Sequence, residues 1–82
     1  MDKKKFIYCI ETELNTSALM KILARLIRSR VEIEEWQTAA GREGARRILI
    51  IVNDTRENSV MLLKKIDGEV EVISVKLFEQ TF

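Results

Sequence analysis

The sequence predicts an α+β domain: one four-stranded antiparallel sheet carrying two helices on one face. Three observations lead there. First, two copies of one pattern fill the 82 residues. Each copy is an apolar run, an amphipathic helix with a polar start, and a second apolar run, over 6–10, 17–30 and 31–39, then 46–52, 55–66 and 70–77. Second, Ile48-Leu49-Ile50-Ile51-Val52 is apolar on both faces and rich in β-branched residues, as an inner strand requires. Third, 46% apolar with 33% charged residues is the composition of a folded domain rather than a disordered tail. A single domain over 1–82 is expected. A chain this short buries only roughly 60–65% of its unfolded surface, so association with a partner is expected before any motif is read.

Each element has a local reason. The first strand, 6–10, follows a lysine-rich start. In the first helix Leu19, Ile22, Leu23, Leu26 and Ile27 step by three and four, the stripe of a helix lying on a sheet. Asn15, Thr16 and Ser17 are all competent N-caps. The second strand, 31–39, is polar by comparison and reads as an edge. Gly41 and Gly44 would supply the positive φ angles of a hairpin connection. In the second helix Asp54, with Glu57 three later, resembles a capping box. Val60, Leu62, Leu63 and Ile66 face inward, and Gly68 follows as a C-cap. In the last strand Val70, Val72 and Ser74 alternate with Glu71 and Ile73. The right-handed crossover rule then leaves few topologies, of which the best is the strand order 2-3-1-4. That is the ferredoxin-like βαββαβ arrangement.

Absent residues exclude several function classes. With 14 basic and 13 acidic residues the net charge is +1, no electrostatic footprint for nucleic acid. An RNA-recognition module of the same element order would use Tyr8 as a stacking platform, but it needs further aromatics on strand three. The lone Cys9 reads as a small buried hydrophobe and allows neither an intrachain disulfide nor a Cys-x-x-Cys metal turn. There is no His, so no imidazole base or ligand, and the glycines are misplaced for a phosphate cradle. No catalytic residue, metal or cofactor is called for, and the chain is expected not to be an enzyme. No apolar stretch reaches transmembrane length and no signal peptide precedes the first strand, so no membrane association and a cytoplasmic location are expected.

Two surface features invite a partner. Lys21, Arg25 and Arg28 line the outer face of the first helix with no acid between Ala18 and Val31. They form either a solvated face or a basic strip for an acidic protein surface. Trp36, the only tryptophan, stands on the predicted edge strand at an odd spacing from Ile33. It is either a core aromatic turned inward by a β-bulge or an interface anchor.

Specific segments resemble a known family. Leu14-Asn15-Thr16-Ser17-Ala18-Leu19 corresponds to a strand-to-helix turn of the form Asn-x-Pro/Ser-Gly-x-Leu. Arg30-Val31-Glu32-Ile33-Glu34 corresponds to Arg-Gly-Tyr/Phe-Asn-Ile-Glu, Arg46-Arg47-Ile48-Leu49-Ile50 to Ser-Arg-Met-Thr-Ile, and Glu69 to Val75 to Leu-Val-Asp-Val-x-x-Val. From Phe6 to about Phe78 the chain resembles an ACT domain, and within that superfamily the small regulatory subunit of acetolactate synthase. The turn glycine is Ser17 here, the asparagine is Glu32, and the glycine between helix one and strand two is deleted. The short, single-domain type, whose partner enzyme is insensitive to valine, also lacks the turn glycine.

The resemblance implies a non-catalytic subunit of branched-chain amino-acid biosynthesis. It would bind and stabilise the thiamine-diphosphate-dependent catalytic subunit of acetolactate synthase and form a homodimer through edge strands or helices. It also implies an amino-acid site, in which Asn15, Thr16, Ser17, Ala18, Glu32 and Ile33 would receive a branched-chain amino acid, with Ser17 narrowing the approach. Trp36, Lys21, Arg25 and Arg28 would face a partner. The alternative is a free-standing ACT dimer that senses an amino acid or other small ligand.

Overall fold

The computed structural model describes residues 3–80. The elements follow as β1 (Lys4–Glu13), α1 (Thr16–Arg28), β2 (Glu32–Ala40), β3 (Ala45–Asp54), α2 (Arg56–Asp67) and β4 (Val72–Glu79). The strands pair antiparallel in the order β2-β3-β1-β4. This is the ferredoxin-like fold, with β1 and β3 central and β2 at an edge.

Strand alternation decides what the helices cover. Phe6, Tyr8 and Ile10 of β1 and Ile48, Ile50 and Val52 of β3 are buried, and they meet Ile22 and Leu26 of α1 and Leu62 and Ile66 of α2. Each such side chain contributes about 1.5–3 kcal/mol when removed from water. The intervening Ile7, Cys9, Leu49 and Ile51 are half-buried on the opposite, open face. Cys9 is therefore not the core residue its type suggested. Ile27 and Val60 also lie outside the core, at 64% and 38% exposed, because each helix turns a narrower stripe inward than its sequence offers.

The ends of α1 are closed at both termini. Asn15 is the N-cap, its Oδ1 accepting the Ala18 N–H at 2.8 Å. At the other end Arg30 N–H donates to the Ile27 carbonyl and Val31 N–H to that of Leu26, the two bonds of a Schellman motif. That motif places Arg30 at φ 56, a left-handed conformation costing a residue with a Cβ about 1–2 kcal/mol. Arg30→Gly should therefore raise stability by about 0.5–1 kcal/mol after glycine's own entropy is counted. Urea denaturation would show this as a higher midpoint at unchanged slope.

Several turn assignments shift by a residue. Thr55, not Asp54, is the N-cap of α2, its hydroxyl accepting the Asn58 N–H. In the β2–β3 connection positive φ falls on Glu43 and Gly44. Gly41 is needed for a different reason: a Cβ there would lie 3.1 Å from the Ala45 carbonyl oxygen. Gly68 closes α2 through its N–H to Lys64 with a right-handed φ of −78.

Two bulges reset the strand faces. One lies in β2 between Ile33 and Glu35, the other in β4 opposite Glu11 and Thr12. The second puts Val72, Val75 and Leu77 against the core and turns Ser74 outward beside Glu11. Val70 precedes the strand and is 90% exposed, so the predicted inward series Val70, Val72, Ser74 holds only at Val72. Where β1 begins β4 ends: Lys4 pairs with Glu79 at 3.4 Å, and Gln80 N–H donates to the Lys5 carbonyl at 2.9 Å.

Candidate functional site: a groove between α1 and the edge strand

The β2 bulge creates the most distinctive surface feature. Ile33 pairs with Val52 and Trp36 with Ile50, leaving Glu34 as the extra residue. An odd spacing thus places both Ile33 and Trp36 on the helix side of the sheet. Trp36 packs against the core without being covered, because β2 lies at the sheet edge and none of its residues is fully buried. It lines an open groove of about 460 Å³ with Leu19, Met20, Leu23 and Ile33. Met20 at its mouth is 61% exposed. Four apolar side chains around a half-exposed indole can take an apolar segment and offer no charge to hold an ion.

The residues expected to receive an amino acid fall into two groups. Asn15 caps α1, Thr16 and Ser17 are exposed, and Ala18 is buried beneath the first turn. Glu32 lies at the far end of α1, where Asn53 Nδ2 donates to it at 3.1 Å and also to Glu34. Lys5 adds an ion pair to Glu34 at 3.2 Å. Thirteen helical residues separate the groups by about 20 Å. One chain does not bring Asn15, Thr16 and Ser17 together with Glu32, so a pocket built from both needs a second copy. Ile33 instead belongs to the groove beside Trp36.

The basic strip of α1 has acidic partners from its own chain. Lys21 Nζ reaches the Glu71 carboxylate at 2.9 and 3.1 Å, and Arg25 donates through Nε and Nη2 to Glu69 Oε1 at 3.0 and 2.8 Å. The hydrogen bond to Glu71 raises the Lys21 pKa above its ordinary value, and the same contact holds the Glu71 carboxyl below its own. These pairs tie α1 to the α2–β4 connection. Only Arg28 of the three strip residues makes no ion pair among the described residues.

Sequence reasoning missed a buried polar chain beneath α2. Tyr8 Oη donates to the Ser59 carbonyl at 3.1 Å, and Ser59 Oγ donates to Asp54 Oδ2 at 3.4 Å. Asp54 also accepts from the Thr55 N–H and the Asn58 side chain, each at 2.8 Å. Burial pushes the Tyr8 pKa up to about 12, with the Ser59 bond acting downward and the Asp54 charge adding to the rise. The alternation Phe6, Tyr8, Ile10 carried this signal. It also removes the RNA-stacking reading, since Tyr8 is fully buried and points away from the open face.

Among the described residues no cluster of three His, Cys, Asp or Glu could hold a metal ion, and no helix is long and apolar enough to cross a membrane. No protein-family model matches the chain, and no curated protein matches its sequence. Solved structures do match its fold. An uncharacterized protein from Thermotoga maritima superimposes with a TM-score of 0.81 at 18% identity, over 98% of this chain and 100% of that one. The ACT domain of GTP pyrophosphokinase from Chlorobium tepidum gives 0.80 at 13% identity, over 93% and 99%. A homoserine dehydrogenase from Thiobacillus denitrificans gives 0.79 at 15% identity, over 94% of this chain and only 17% of that one. Structural neighbours of this chain thus include ACT domains.

Proposed function

We propose that the chain is a non-catalytic ACT-type regulatory subunit that binds and stabilises the catalytic subunit of acetolactate synthase. The observation that carries the reading is the end-to-end correspondence with an isolated ACT domain, joined to the sequence motifs around Asn15, Arg30 and Arg47. The homoserine dehydrogenase match supports it, because there a segment of this shape is a minor part of an enzyme. The subunit acts by preferring the assembled, active arrangement of its partner, which shifts the population toward that state. Trp36 and the groove it lines are the contact surface, and Arg28 is a further contact on the basic strip of α1.

The test is reconstitution with the acetolactate synthase catalytic subunit from the same source. The expected result is co-elution in stoichiometric ratio, a higher rate of acetolactate formation from pyruvate, and a shift of Trp36 fluorescence on mixing. Trp36→Ala should weaken the complex by roughly 30-fold, as for an aromatic interface anchor worth about 2 kcal/mol. Separate elution of the two chains would overturn the reading.

A free-standing sensor is the second reading. It is favoured by the exposed Thr16 and Ser17 at the N-terminus of α1, where backbone N–H groups can receive a carboxylate. Calorimetric titration of the chain alone with valine, leucine and isoleucine decides it: heat at millimolar ligand supports a sensor, and none removes it.

A further inference from the structure

We infer that two copies of this chain stack face to face through their open sheets, related by a two-fold axis that runs between β1 and β3 parallel to the strands. The inference stands apart from the catalytic-subunit reading and concerns a surface which that reading does not use.

The strand registers define rows across the open face. Ile51, Ile7 and Phe78 form one row, and Leu49, Cys9 and Lys76 the next. Phe78 is 50% exposed, and the other apolar members are half-buried. The third row is charged, with Arg47 of β3 beside Glu11 of β1. A face four strands wide and about eight residues long measures roughly 19 by 27 Å, about the footprint of a small specific interface.

What selects a second copy is the symmetry of these rows. The axis between the two central strands lays each β3 over the partner's β1. Ile51 then faces Ile7 of the second copy, Leu49 faces Cys9, and Arg47 faces Glu11. The same operation repeats every contact, so the charged pair occurs twice, side by side at one end of the apolar rows. Lys76 comes over Gln37 of the second copy and Phe78 over Glu35, which leaves Lys76 one row from the Glu35 carboxylate. Stacked sheets lie about 10 Å apart and cross at about 30°, within reach of arginine and glutamate side chains. Moving the axis onto β1 would set Glu11 against Glu11, moving it onto β3 would set Arg47 against Arg47, and turning it across the strands would set the charged row against an apolar one.

The test uses two single variants of the full chain, Arg47→Glu and Glu11→Arg, followed by sedimentation velocity. The wild-type chain is expected to dimerise. Each variant alone sets like charges against each other twice, and its dimer should weaken at least tenfold. Mixed in equal amounts, the two variants restore opposite charges at both positions and should form a heterodimer of near wild-type affinity. Circular dichroism checks that both are folded. Without any substitution, Cys9 should react more slowly with N-ethylmaleimide as protein concentration passes the dimer Kd. A monomeric wild type, variants that dimerise as well as wild type, or a mixture that fails to associate overturns the inference.

Discussion

Ile50→Ala should lower the unfolding free energy by about 3–4 kcal/mol, near the upper part of the range for deleting a buried isoleucine side chain. Ile50 is fully buried on the inner strand β3, paired with Tyr8 on one side and Trp36 on the other. Both neighbours are aromatic and held by other contacts. Tyr8 is fixed by its hydroxyl and Trp36 by the pairing of β2, so neither can swing in to fill the void. A domain of this length has roughly 4–12 kcal/mol of stability in total, so one substitution can consume much of it. Thermal and urea unfolding measure the loss directly. Ile50→Val, which removes one methylene, should cost about 1 kcal/mol and serves as the calibrating variant.

Asp54→Ala should cost about 2–3 kcal/mol although it removes no large apolar group. Asp54 is 7% exposed and is the common acceptor for the Thr55 N–H, the Asn58 amide and the Ser59 hydroxyl. Alanine would leave the buried Ser59 hydroxyl without a partner, a cost of about 1–3 kcal/mol, whereas the half-buried Thr55 N–H and Asn58 amide can turn to water. It would also remove a carboxylate from the positive end of α2, worth up to about 1 kcal/mol. Asp54→Asn keeps an acceptor and loses the charge, so it should recover at least half of the deficit. Equal destabilisation by the two variants would contradict this account of Asp54.

The fold was legible because its signals are local and repeated. Two apolar stripes with period near 3.6 residues and four short strands with turn residues between them allow few closed arrangements, and the chain adopts the expected one. What escaped was whatever depends on a residue distant in sequence. Lys21 and Arg25 read as either a solvated face or a strip for an acidic protein surface, since their partners Glu71 and Glu69 stand 50 and 44 residues away. The β4 bulge moved Ser74 to the other face, and nothing in the alternation of Val70, Val72 and Ser74 announced it. The opposite case is Trp36, whose odd separation from Ile33 is in itself the mark of a bulge. For the candidate site, the groove lining was only half visible: Leu19 and Leu23 belonged to a recognisable stripe, whereas Met20 lay outside it. Sequence could place Asn15 and Glu32 at two helix ends, but only the topology shows that they stand about 20 Å apart.

The adjacency of the first and last strands has a consequence for how such a module can be used. Lys4 and Glu79 touch across the β1–β4 ladder, and the backbone of Gln80 still bonds to Lys5. Entry and exit of the domain therefore lie side by side at one end of the sheet. A unit with that geometry can be spliced into a surface loop of a larger polypeptide through two short tethers without stretching the host. Joining the two ends by a few residues would likewise give a circular chain, and new termini could be opened in the exposed β2–β3 connection around Glu43.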